Sequence, residues 1–266
     1  MTDLAQPSAR SSNTESYWLC AQAPLQALIF LAPLALFYEL GVVLLNAPNV
    51  RTAIGIAPFE NLDSALKARR HLFDLFEWLG FGGYYLPGLM LGIVLLSLHL
   101  VRRDRWQFQP RLYWLMWAES LALVLPLFVF GLVMARFLIP ILTAGEPGPG
   151  PHVLDRIVLS VGAGIYEEMV FRLMAIALLH GLIVDWLKID SIWGPICTIF
   201  ITALAFAFYH FSETNPFSVS YMVFYTIAGI YFAGIYLLRG FGIVVAVHAI
   251  YDILVVVMDL QLKYDQ

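Results

Sequence analysis

The sequence predicts an all-α fold, a polytopic transmembrane helix bundle of roughly seven spans, and three observations carry that prediction. Hydrophobic residues make up 61% of the 266 and charged residues only 13%, with a mean hydropathy of +0.78. A soluble domain carries about 25% charged residues, and half that density cannot coat a water-facing surface. Apolar runs also recur at the length of about 20 residues that a bilayer core demands. Finally, 19 acidic against 15 basic residues, a net charge of −4, leave no basic surface for a phosphate backbone. These features exclude a soluble globular enzyme, a disordered chain and a nucleic-acid binder. They make the lipid bilayer the first partner and integral, multi-pass membrane insertion the localisation (the inner membrane, should the source be a bacterium).

The elements follow in order. Residues 1–17 are polar, with one basic residue and two acids, unlike the positive n-region of a secretory signal, so the apolar stretch from Trp18 is expected to stay as a membrane helix. The first span covers about Ala23–Leu45, interrupted by Pro24, Pro33 and Glu39. Within Asn46–Glu77, Leu62, Leu66, Phe73 and Phe76 recur at helical spacing and predict an interfacial helix. A second span, Gly80–Val101, stops at Arg102-Arg103-Asp104-Arg105, a headgroup cluster that favours an inside amino terminus. A third covers about Tyr113–Leu142. The run AGEPGPGP, Ala144 to Pro151, cannot be helical and divides the chain into a leading portion, 1–151, and a unit expected to carry the chemistry, 152–266. Further spans are expected at about Val153–Trp186, Ile192–Phe211, Val219–Leu238 and Ile243–Leu260. Two cysteines, Cys20 and Cys197, make neither a disulfide framework nor a zinc motif. The absence of an internal repeat lends no support to a repeat-built transporter.

Ionisable residues in membrane helices are costly and need a reason. Three constellations lie on three different expected helices: Glu167-Glu168-Met169-Val170-Phe171-Arg172, Phe206-Ala207-Phe208-Tyr209-His210, and His248-Ala249-Ile250-Tyr251-Asp252. Singly, each has a plain structural reading. Glu168 and Arg172 suit a helix ion pair, His210 sits at a span end, and His248 with Asp252 could lock two helices together. Together they place two carboxylates, an arginine and two imidazoles on neighbouring helices, with Asp252 sharing the His248 face. Groups that must all turn inward converge, and such convergence in a bundle marks a functional site.

Helix geometry separates the adjacent glutamates. Arg172 lies about 40° round the helix from Glu168 but about 140° from Glu167. Glu168 should therefore hold Arg172 while Glu167 stays available to the histidines. Elsewhere Glu39, Glu77, Glu119 and Arg136 lack a partner at helical spacing, and Glu77 and Arg136 are expected to reach for headgroups. His99 reads as interfacial and His180 as a packing residue. The seven tryptophans cluster near span ends like an aromatic belt.

The motifs Glu167-Glu168-x-x-x-Arg172, Phe206-x-x-x-His210 and His248-x-x-x-Asp252, in that order on successive helices, resemble the CPBP family of intramembrane proteases, which includes type II CAAX prenyl endopeptidases and ABI immunity proteins. The likeness covers about Asp155–Leu260. It implies an intramembrane endopeptidase that hydrolyses peptide bonds of a membrane-associated peptide or protein substrate, with Glu167, Glu168, Arg172, His210, His248 and Asp252 as the catalytic set. The residue chemistry agrees: hydrolysis needs a base for water, a group to steer it and donors for the oxyanion. No serine or cysteine nucleophile motif and no H-E-x-x-H run is present, which favours water as the nucleophile. The cofactor is either none or zinc; Glu167, His210 and His248 would form a catalytic zinc shell with an open position. Two other readings stand beside this one: a proton-coupled transporter or channel, which predicts acids dispersed along many helices, and a non-catalytic immunity-type membrane protein. Convergence of Glu167, His210 and His248 around one water-sized site, reached through a polar cavity, separates them.

Overall fold

The computed structural model describes residues 12–56, 66–78, 80, 86–137, 152–189, 192–212 and 216–264, and among them there is no strand. The helices are α1 (Ser12–Ala21), α2 (Pro24–Asn46), α3 (Pro48–Ala53), α4 (Lys67–Trp78), α5 (Leu86–Arg102), α6 (Pro110–Phe137), α7 (residues 153–186), α8 (Trp193–Tyr209), α9 (Val219–Arg239) and α10 (Phe241–Tyr264). Each of the seven expected spans falls on one of them. Five, in α2, α6, α7, α9 and α10, are long and apolar enough to cross a membrane, while α5 and α8 are shorter apolar helices. The protein is thus an integral, multi-pass helix bundle. The interrupting run at 144–151, Leu62 and residues 138–142 lie outside the described residues.

Helix starts obey local chemistry. Pro24, Pro48 and Pro110 stand at first-turn positions, where a missing N–H leaves no hydrogen bond unmade. His152 caps α7: its Nδ1 accepts from the Leu154 N–H, and Asp155 accepts from the His152 N–H. Farther along, α7 widens into π-helical turns over Met169–Ile176 and again over Gly181–Trp186. Such turns often mark functional sites.

The core is built round α10. Ile243, Val244, Val245, Ala246 and Val247 are all 0% exposed, as expected of a helix that is apolar on every face. α7, α6, α2 and α9 surround it. Without a hydrophobic drive between helices in lipid, close approach depends on small residues. A Cβ on Gly164 would stand 2.9 Å from the Ala249 nitrogen and the Val245 oxygen, so α7 and α10 meet backbone to backbone; on Gly229 it would stand 2.9 Å from the Ala203 Cα, joining α9 to α8. The outer faces of α2 and α6 expose Leu36, Leu40, Leu121, Leu125 and Val129 towards the position of lipid.

Several expectations change in three dimensions. Glu39 and Glu119 do have partners, on other helices. The Tyr166 hydroxyl donates to Glu39 over 2.8 Å, and Arg239 and the Tyr17 hydroxyl both bind Glu119. Burial, then the Glu119 carboxylate, push the Tyr17 pKa up. His99 is buried against the edge of Trp106, with ring centroids 4.4 Å apart. Trp117 packs on Phe30, inside the belt that the other tryptophans suggested. The helix expected within 46–77 is α4, which packs on α5 and α7 and buries Arg69 and Leu72.

Candidate active site

Glu167 and Glu168 close the α-helical part of α7, and Arg172 sits in the π-helical turn that follows. As the spacing implies, Glu168 takes the arginine: Arg172 Nε lies 3.0 Å from Glu168 Oε2. Glu168 is also held from the far side, with its Oε1 2.7 Å from His248 Nδ1. A carboxylate with no exposed surface thus bridges a guanidinium and an imidazole. The opposite charge of Arg172 and the hydrogen bond to His248 offset its loss of water.

The remainder of Arg172 is enclosed. Its Nη2 donates to the Gly229 carbonyl, and its guanidinium carbon lies 4.5 Å over the Phe206 ring and 5.4 Å from that of Phe232. The two rings supply cation–π faces where water is absent. Phe232 also stacks on His248 at 4.6 Å between centroids. The first position of the Phe206-x-x-x-His210 motif thereby acquires a physical task, as one wall of the arginine's slot.

Glu167 points the other way. Its Oε2 lies 3.7 Å from His210 Nε2 and 3.9 Å from His248 Nε2, and it has no hydrogen-bond partner among the described residues. His210 caps the carboxyl end of α8, its Nδ1 held 2.7 Å from the Phe206 carbonyl, which fixes that nitrogen as the N–H donor. His248 Nε2 is also 3.6 Å from Asp252 Oδ2. All six residues singled out by sequence therefore come together: Glu168, Arg172, His248 and Asp252 pair in a chain, and Glu167 approaches both His210 and His248.

A cavity of about 680 Å³ opens onto this cluster, and Glu167, His210 and Asp252 line its inner end. Glu168, Arg172 and His248 stand behind it. Its remaining walls carry Arg156 and Ser160 of α7 as further polar groups and are otherwise largely apolar and aromatic, among them Phe128 and Leu132 of α6 and Tyr225 of α9. Apolar helices can present only such walls to a space between them.

Sequence reasoning missed three contributors. Tyr225 stacks on His210, with centroids 4.1 Å apart, and Phe232 stacks on His248. They are seven residues apart, hence on one face of α9, but in a helix so rich in aromatics that the spacing carries no distinction. Lys67 of α4 reaches the carbonyls of Tyr209 and Phe211 at 3.4 and 3.3 Å, one on each side of His210. Nothing in the sequence links residues so far apart.

Among the described residues, no group of three or more His, Cys, Asp or Glu side chains is gathered as a metal ion requires. His248 has one ring nitrogen committed to Glu168 and the other shared between Glu167 and Asp252.

Residues 149–254 match the family model described as Type II CAAX prenyl endopeptidase Rce1-like, and all three motifs fall inside the match. No curated protein and no solved structure matches the chain. On this match and the motifs it contains, residues 149–254 are similar to the Rce1-like, type II CAAX prenyl endopeptidase family.

Proposed function

We propose that this protein is an intramembrane endopeptidase in which Glu167 activates a water molecule against a peptide bond of a membrane-associated peptide or protein. The single observation that carries this reading is the Glu167 Oε2 atom, buried and without a hydrogen-bond partner among the described residues while facing two imidazole nitrogens. A buried carboxylate oxygen left unpaired is costly. Separations of 3.7 and 3.9 Å exceed a direct hydrogen bond and suit one bridging water.

The roles follow from which atoms remain uncommitted. His210, with Nδ1–H donated to Phe206, turns a lone pair on Nε2 towards the water and orients it with Glu167. Glu167 takes the water's proton as its oxygen attacks the carbonyl carbon, and later delivers that proton to the leaving amine. Flanked by the Glu168 and Asp252 carboxylates, His248 works as an imidazolium: Nδ1–H donates to Glu168 and Nε2–H meets the developing oxyanion. Asp252 steadies that proton, and Arg172 holds the Glu168 carboxylate in place from its other side. The substrate's scissile segment lies in the apolar cavity, whose walls suit a lipid-embedded chain.

Acids elsewhere favour this reading over a proton relay, since Glu39 and Glu119 are bound to Tyr166, and to Arg239 and Tyr17. The test is Glu167→Gln in purified, reconstituted protein. It should retain the wild-type melting temperature and lose about 10²–10⁴-fold in turnover, as removal of a general base does. Turnover within about threefold of wild type would refute the role of Glu167.

A further inference from the structure

At the opposite end from His210, a second cavity of about 210 Å³ lies where the start of α2, the end of α5 and the α9–α10 turn meet. Its mouth carries Gln22, Arg102 and Tyr236, and its floor is Leu95, Leu98 and Leu173. Gln22 is spent, since its Nε2 donates to the Leu238 carbonyl at 2.7 Å. Arg102 is exposed and has no acidic partner among the described residues. An arginine at the end of four apolar helices, above a leucine floor, is a cationic head over an apolar slot.

We propose that this cavity binds one anionic phospholipid, its phosphate on Arg102 and the Tyr236 hydroxyl and the upper part of an acyl chain along Leu95, Leu98 and Leu173. The chemistry that selects it is a phosphodiester anion joined to a hydrocarbon chain. Guanidinium suits the first through paired, charge-assisted hydrogen bonds, and the leucines suit the second. Basic pockets between membrane helices recognise anionic headgroups on these terms. Depth agrees, because α5 ends at Arg102 and the exposed Trp106 follows in the aromatic belt. Leu173 is the neighbour of Arg172 in the same π-helical turn, so the lipid would touch the segment that carries the site's arginine. This inference stands independently of the peptidase reading.

The test is native mass spectrometry of the full chain in detergent, titrated with phosphatidylglycerol or phosphatidylcholine. Wild type should retain one phosphatidylglycerol, held at least about tenfold more tightly than phosphatidylcholine. Arg102→Gln should weaken it about 10–100-fold, the range for a lost charged hydrogen bond. Leu98→Glu, one turn before Arg102, should match that loss by neutralising the guanidinium from within the slot. Arg105→Gln, in the same basic cluster but outside the cavity, should stay within about twofold. Equal losses from Arg102→Gln and Arg105→Gln would overturn the site in favour of diffuse attraction to a basic surface. Equal retention of the two lipids would overturn the phosphodiester, and displacement by millimolar inorganic phosphate would reassign the cavity to a free anion.

Discussion

Glu168 serves two cations at once, and this separates it from its neighbour more sharply than helix geometry alone. Replacing it with Gln strands Arg172 between two aromatic rings and frees His248 to turn. Breaking a buried pair from one side costs about 3–5 kcal/mol, so Glu168→Gln should lower the melting temperature as well as turnover. The double change Glu168→Gln with Arg172→Gln should recover part of that stability but no activity, since His248 stays unanchored. Thermal unfolding and cleavage measured side by side check both, and an inactive but fully stable Glu168→Gln would contradict the assignment. The pairing of Glu168 with Arg172 was legible at four-residue spacing. The bond to His248, 80 residues away, was not, because sequence spacing reports one helix at a time. For the same reason Glu119 looked unpartnered although Arg239 and Tyr17 hold it.

At the scale of elements, α4 shows what an amphipathic pattern leaves open. Leu66, Phe73 and Phe76 were legible at helical spacing, but a helical stripe does not say whether it faces lipid or protein. Here it faces α5 and α7, and Lys67 at its start holds the two carbonyls flanking His210. Lys67→Met should leave the protein folded, with a melting temperature within a few degrees of wild type, yet reduce kcat about tenfold by loosening His210. Lys67→Arg should restore most of it. A change in KM alone would show that Lys67 instead serves substrate binding. The seven apolar runs were readable as helices because hydropathy and length are local properties. The π-helical widening at Met169 was not, since it answers to the packing of Arg172 between α8 and α9.

At the scale of the molecule, the family-matched segment does not make the cavity alone. Leu66 of α4 and Phe128, Gly131 and Leu132 of α6 supply walls from outside residues 149–254. Gly131 faces Tyr251 so closely that a Cβ there would stand 2.8 Å from the phenol oxygen. Gly131→Leu should therefore push Tyr251 into the cavity and lower kcat/KM for bulky substrates about tenfold, with little change for short ones. Metal removal offers a second check: dialysis against a strong chelator should leave the cleavage rate unchanged, and a matched loss of metal and activity, restored by zinc, would contradict the metal-free steps. The most direct measurement reconstitutes the full chain in lipid vesicles with a mixture of membrane-spanning and prenyl-anchored peptides and identifies new peptide termini by mass spectrometry. Wild type should generate new termini and Glu167→Gln should not, at equal protein and equal melting temperature. The same termini at the same rate from both, or none from wild type, would contradict hydrolysis by Glu167-activated water.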